Sequence, residues 1–235
     1  EEAIENHTAS VCIPPSYVKR VSKAYGDKLN VCTVIGFPLG YNTTETKVYE
    51  TQKALADGAG EVDMVVNLGD VKNGEFPKIT REIEAVKKAA GNHVVKVIIE
   101  TCYLTEDEKR ELCKCVTDGG ADYIKTSTGF GTAGARIEDV RLFKRYIGEG
   151  VKIKAAGGVL FICADHGNAE VMVDEATGEP WTAHTTNQVP FVLVGADPAY
   201  KLREGGRLCD IVPTLIELMG LEKPKEMTGE SLLVK

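Results

Sequence analysis

The sequence predicts an α/β protein built on a parallel sheet wound as part of a (β/α) barrel, followed by a smaller α/β segment. Three observations lead there. Six short runs rich in β-branched residues recur before residue 158, amphipathic stretches with helix start and stop signals separate them, and the rhythm breaks at Gly157-Gly158. Strand signals alternating with helix signals imply parallel strands joined by helical crossovers. Short loops between six such units favour part of a barrel over a doubly wound sheet. The nearly continuous apolar strands indicate that both faces of the sheet are covered.

The elements follow in order. The opening "EEAIENH" reads as the end of a helix without a preceding Met, and a front truncation is expected. Strands are predicted at "SVCI" (10–13), "VCTVIGF" (31–37), "EVDMVVN" (61–67), "VVKVIIET" (94–101), "DYIKTST" (122–128) and "VKIKAA" (151–156). Between the second and third, Thr43-Thr44 opens a helix over 43–57 that stops at Gly58. Thr105 and Glu108 have capping-box spacing ahead of "LCKCV", and Gly119-Gly120 closes that helix. A further helix over 135–147 also ends near a glycine. The phrases "ADGAGEVDMVVN" and "TDGGADYIKTST" repeat one design, a helix stop and then a strand start.

After residue 158 long helices no longer alternate with strands. "VLFICAD" reads as a strand, residues 170–195 as a hairpin turning at 176–180, and 207–220 as one amphipathic helix. Its apolar residues, Leu208, Val212 and Leu215 among them, call for burial. Five of the nine prolines lie beyond residue 158, which supports a boundary there: domains 1–158 and 159–235.

A net charge of −7 argues against non-specific binding to nucleic acid or to an acidic membrane surface. An anionic substrate would therefore need local lysines or backbone N–H groups. The seven cysteines form no C-x-x-C pair and fit a reducing, cytoplasmic setting. No apolar run approaches the ~20 residues of a membrane span, and no signal peptide is visible.

In a parallel barrel, alternate strand residues point inward and function gathers at the strands' C-terminal ends. Asp63, Lys96, Lys125 and Lys154 lie on predicted strands. An ammonium in a barrel interior is costly unless it is paired or loses its proton. Lys125 and Lys154, on consecutive strands, can face each other; their repulsion and partial burial favour a neutral amine, the form that attacks a carbonyl to make a Schiff base. Asp63 can then relay protons at the carbon next to the iminium. The alternative is that the lysines reach out from the strand ends and pair with Glu100 or Asp122.

Taken together, "VIGFPLG", "EVDMVVN", "KVIIET", "YIKTSTGF" and "KIKAAGG" resemble deoxyribose-phosphate aldolase, from residue 1 to about 158. The resemblance implies a (β/α)8 TIM-type barrel, here incomplete at about six βα units. It also implies reversible cleavage of 2-deoxy-D-ribose 5-phosphate to D-glyceraldehyde 3-phosphate and acetaldehyde, without cofactor. By the same resemblance Lys125 is the Schiff-base lysine, Lys154 the neighbour that favours its neutral form, and Asp63 the proton-relay acid. Thr128, Gly129, Gly157 and Gly158 match positions near the substrate and its phosphate. Missing strands would leave open sheet edges, so impaired turnover or completion within a homo-oligomer is expected.

"FICADHGNAE", "AHTTNQVPFVLVG" and "LREGGRLCDIVPTLIELMGLEKPKEMTGESLL" resemble the C-terminal end of cofactor-independent phosphoglycerate mutase, an alkaline-phosphatase-superfamily enzyme. That resemblance implies metal ligation by Asp165, His166 and His184, with Mn²⁺ as the expected ion. The chain thus reads as a chimera. An aldolase taking a small phosphorylated sugar or aldehyde is the first reading; a metal-dependent mutase fragment and a composite without catalysis are the alternatives.

Overall fold

The β-branched runs become neighbouring strands of one parallel sheet in the computed structural model, which describes residues 2–157, 160–164, 188–194, 196, 200–218 and 222–234. A short helix α1 (Glu2–Glu5) precedes β1 (Val11–Ile13), α2 (Pro15–Tyr25), β2 (Val31–Ile35) and α3 (Thr44–Ala56). Next come β3 (Glu61–Val65), α4 (Leu68–Lys72), α5 (Phe76–Ala90), β4 (Val94–Ile98) and α6 (Glu106–Asp118). The series ends with β5 (Tyr123–Lys125), α7 (Ile137–Tyr146) and β6 (Lys152–Lys154). All neighbours pair in parallel and the spatial order is the chain order, β1 to β6. Each strand is added on the same side of the last. A doubly wound sheet reverses direction part-way; steady addition is how a barrel winds.

Helix boundaries follow the local chemistry. Thr43 caps α3 by accepting from Thr46 N, and Thr105 and Glu108 form both halves of the capping box on α6. Strand alternation then sorts side chains between two faces. Val62, Met64, Val95, Val97 and Ile124 face the helices, packing with Val18, Ile79, Ile83, Val86, Leu112 and Phe143 into one apolar core. The other parity carries Cys12, Cys32, Glu61, Asp63, Lys96, Lys125 and Lys154. On the helical side, fully buried Lys47 of α3 donates to Glu82 of α5 at 2.6 Å and to Val65 O at 2.8 Å.

The chain divides into two compact units, residues 1–157 and 158–235. In the second, β7 (Leu160–Cys163) pairs antiparallel with β8 (Phe191–Val194), and β9 (Lys201–Leu202) with β10 (Leu233–Val234). The helix expected over 207–220 starts later. Residues 208–210 make a 3-10 turn and α8 spans Ile211–Leu218. The cause is Asp210, whose carboxylate accepts from Arg207 N and Glu230 N and so ties the entry to the chain's last segment. The Thr214 hydroxyl donates to Asp210 O and accepts from Leu232 N, which buries the Pro213–Thr214 side of α8. Leu208 and Val212, expected to be buried, lie on other sides and are exposed. Most of the hairpin expected over 170–195 lies outside the described residues. No helix among the described residues is long and apolar enough to cross a membrane.

Candidate active site

The inner face of the sheet is polar because its charges compensate one another. Asp63, on the third strand, has no solvent exposure. Its Oδ1 accepts from Lys96 Nζ at 2.9 Å and Cys32 Sγ at 3.2 Å; its Oδ2 accepts from Lys125 Nζ at 2.7 Å. Lys154 Nζ stands 3.6 Å from the same Oδ2. Lys96 also donates to Glu61 Oε2 at 2.6 Å. Three ammonium groups thus surround two carboxylates, leaving the cluster one positive charge in excess.

Register explains the convergence. Lys96 is the Cα partner of Asp63, whereas Lys125 pairs with Ile98 and Ile98 with Val65, two residues beyond Asp63. The contact between Lys125 and Asp63 therefore crosses a two-residue stagger, as strand tilt in a barrel-like sheet requires. Lys154 is the register partner of Lys125 and follows it to the same level.

Burial by itself would push the Asp63 carboxyl up, but Lys125 and Lys96 outweigh it and hold its pKa down at about 2. Desolvation pulls Lys96 down, yet Asp63 and Glu61 hold it above the ordinary lysine range. Asp63 is therefore a carboxylate and Lys96 a fixed cation. The pairing of the lysines with Glu100 or Asp122 does not occur. Glu100 sits in the left-handed region at φ 54° and its carboxylate receives Thr128 N at 3.2 Å and the Thr128 hydroxyl. Asp122 receives Lys87 Nζ at 2.7 Å and Val95 N at 2.8 Å.

Thr128 and Gly129 lie on the loop after β5, and Gly157 on the loop after β6, at the strand ends that carry Lys125 and Lys154. The two loops are joined: Ala135 N donates to Ala156 O at 2.9 Å, and Ala156 N to Thr126 Oγ1 at 3.0 Å. A Cβ on Gly134 would come within 1.8 Å of Gly157 O, so only glycine fits there. Gly157 itself has φ +70°.

Of the residues singled out in the sequence, Asp63, Lys125 and Lys154 are brought together, with Thr128, Gly129 and Gly157 on the loops beyond them. Gly158, Asp165, His166 and His184 lie outside the described residues. The sequence reading gave no role to Glu61, Cys12, Cys32 or Ser127, and none to Lys96 beyond its place on a strand. Strand parity could have found the first three, because each shares the face of Asp63. Ser127 is two residues beyond Lys125, and its buried hydroxyl has no hydrogen-bond partner among the described residues.

The family model that matches the chain describes DeoC/LacD family aldolases and covers residues 1–179. The chain belongs to this aldolase family. Among curated members, deoxyribose-phosphate aldolase of Clostridium botulinum (strain Alaska E43 / Type E3) is 64% identical over 159 residues, 68% of this chain and 72% of the relative. The Clostridioides difficile enzyme of the same name is 60% identical over 68% of this chain and 73% of the relative. Among solved structures, the aldolase QR15 superposes with a TM-score of 0.63 at 40% identity, covering 66% of this chain and 69% of that one. The tetrameric deoxyribose phosphate aldolase of Aeropyrum pernix gives 0.59 at 30% identity, covering 67% of each chain. The six-stranded parallel sheet, with its helices, matches the fold of these aldolase neighbours.

Proposed function

We propose that the chain is a class I aldolase that cleaves 2-deoxy-D-ribose 5-phosphate to D-glyceraldehyde 3-phosphate and acetaldehyde, with Lys125 as nucleophile. The observation that carries this reading is the approach of Lys125 and Lys154 to one oxygen of buried Asp63. The Lys125 amine, once it has lost its proton to water, attacks the aldehyde carbon of the open-chain sugar. Loss of water gives the iminium. A base then takes the proton of the C3 hydroxyl, the C2–C3 bond breaks, and its electron pair flows into the iminium as an enamine. Glyceraldehyde 3-phosphate departs. Protonation of the enamine carbon and addition of water release acetaldehyde and restore the amine. Asp63 relays the protons, and Lys154 stands beside the reacting amine as its cationic neighbour. Gly129 and Gly157 offer backbone N–H groups suited to phosphate; Thr128, whose N–H and hydroxyl must first leave Glu100, and Gly158 complete the set proposed from the motifs.

Relatives that bear this activity's name at 60–64% identity support the substrate assignment. We read the sheet as part of a (β/α)8 barrel in a cytoplasmic protein that forms homo-oligomers. Borohydride added with acetaldehyde should fix a two-carbon group on Lys125 and block tryptic cleavage there; an unmodified Lys125 at saturating aldehyde refutes the role. Lys125→Ala should lower retro-aldol turnover by about four orders of magnitude or more, and equal rates for both chains would instead support a composite without catalysis.

The domain boundary at 158 and a phosphoglycerate-mutase-like origin for 159–235 belong to the same proposal and rest on sequence motifs. The candidate Mn²⁺ ligands there are Asp165, His166 and His184. Phosphotransfer lost to chelator and restored by Mn²⁺ would support that origin; indifference to chelator would remove it.

A further inference from the structure

Cys12 is the middle residue of β1 and Cys32 the second of β2, and the two are Cα partners in register. Neighbouring strands run about 4.8 Å apart, inside the Cα separation of roughly 4.4–6.8 Å that a disulfide spans. Both side chains take the inner parity. Their sulfurs and an Asp63 carboxylate oxygen all lie within 4.8 Å of one another. Two sulfurs and a carboxylate could also suit a soft cation, but Asp63 already receives Lys96 and Lys125, and a metal would have to displace them.

We infer that Cys12 and Cys32 are an oxidative modification site, closing to a reversible intrachain disulfide when the protein meets a hydroperoxide. The division of labour is built in. Cys12 is exposed and open to the oxidant, whereas Cys32 is buried. The neighbouring Cys32 lowers the Cys12 thiol to about 7 despite burial and the Asp63 charge, with Lys125 and Lys154 assisting. The Cys12 neighbour, burial and the Asp63 charge push the Cys32 thiol up, so it stays protonated. Cys12 thiolate attacks the terminal oxygen of the hydroperoxide, the O–O bond breaks, and the departing alkoxide takes a proton from water. Cys12 is then a sulfenic acid. The Cys32 sulfur attacks it, the S–O bond breaks, and hydroxide leaves with the Cys32 proton as water. One hydroperoxide is reduced to an alcohol while two thiols are oxidised. Closure also withdraws the Cys32 S–H from Asp63 Oδ1, where it donates at 3.2 Å.

The test uses the full reduced chain and one equivalent of hydrogen peroxide, and its readout is independent of aldolase turnover. A non-reducing tryptic digest should join the peptides holding Cys12 and Cys32, two hydrogens lighter than their sum, and dithiothreitol should separate them. In Cys32→Ser, given a second equivalent of peroxide, Cys12 should run on to the sulfinic acid instead. Three results would overturn the inference: sulfinic acid at Cys12 forming equally fast in both chains, a bridge from Cys12 to a second chain, or oxidation confined to Cys102, Cys163 and Cys209.

Discussion

The two faces of the six-stranded sheet bury their residues in different ways. The helix-facing side buries apolar groups such as Val62, Met64, Val97 and Ile124, whose stabilisation comes from removing hydrocarbon from water. On the inner side, Asp63, Lys96 and Lys125 are almost as enclosed, and each is tolerable only because the others neutralise it. A second buried ion pair sharpens the contrast. Burial pulls Lys47 down and pushes Glu82 up, each toward its neutral form, because each is offset by one principal partner. Asp63 meets the same desolvation with several cations around it and is driven the other way. The number of counterions, more than burial, decides whether a buried carboxylate keeps its charge.

The comparison breaks most visibly at Asp63. Asp63→Asn keeps the shape and removes the charge shared by the lysines. Retro-aldol turnover should fall by about 10²–10⁴, and urea unfolding should show a loss of about 3–5 kcal/mol from uncompensated buried ammonium groups. A variant with normal turnover would remove the proton-relay role. Phe143→Ala, on the helix side, should cost about 3–5 kcal/mol through the cavity it leaves, while the folded fraction keeps its rate per molecule. A large loss of rate per folded molecule would mean the two faces are not independent.

Acid supplies a smaller effect. Asp63 titrates at about 2 when folded against an ordinary 3.8, so its carboxylate stabilises the fold above about pH 4. That contribution, on the order of 2 kcal/mol, is lost as pH falls through about 2. The stability gap between wild type and Asp63→Asn, read from urea midpoints across this range, should shrink by that amount. A gap unchanged at low pH would mean the ionised carboxylate is not what separates them. The smallest effect belongs to neither face: Thr105→Ala removes half of a capping box and should cost about 1 kcal/mol by the same unfolding measurement.

Much of this was legible in residue patterns. The six strand runs and the Thr105 cap depend on neighbours a few positions apart and local propensity expresses them directly, while the alternation of strand and helix signals pointed to the sequential winding. Lys125 and Lys154 were recognisable as candidate inward ammonium groups because each lies on a predicted strand, directly after an isoleucine. Glu61 and Cys32 share the parity of Asp63 but drew no attention, since nothing local says that they touch it. Glu100 looked like a counterion for the lysines; its left-handed backbone turns it to Thr128 instead, and a run reading "IIET" does not announce that turn.

What the sequence determined by itself is which residues lie on which strand and which face each presents, because alternation is a property of the chain alone. Only the tertiary structure decided which of the inward residues meet. Lys125 reaches Asp63 across 62 positions and a two-residue stagger. That stagger is set by the tilt of whole strands packed against their helices, which no single segment encodes.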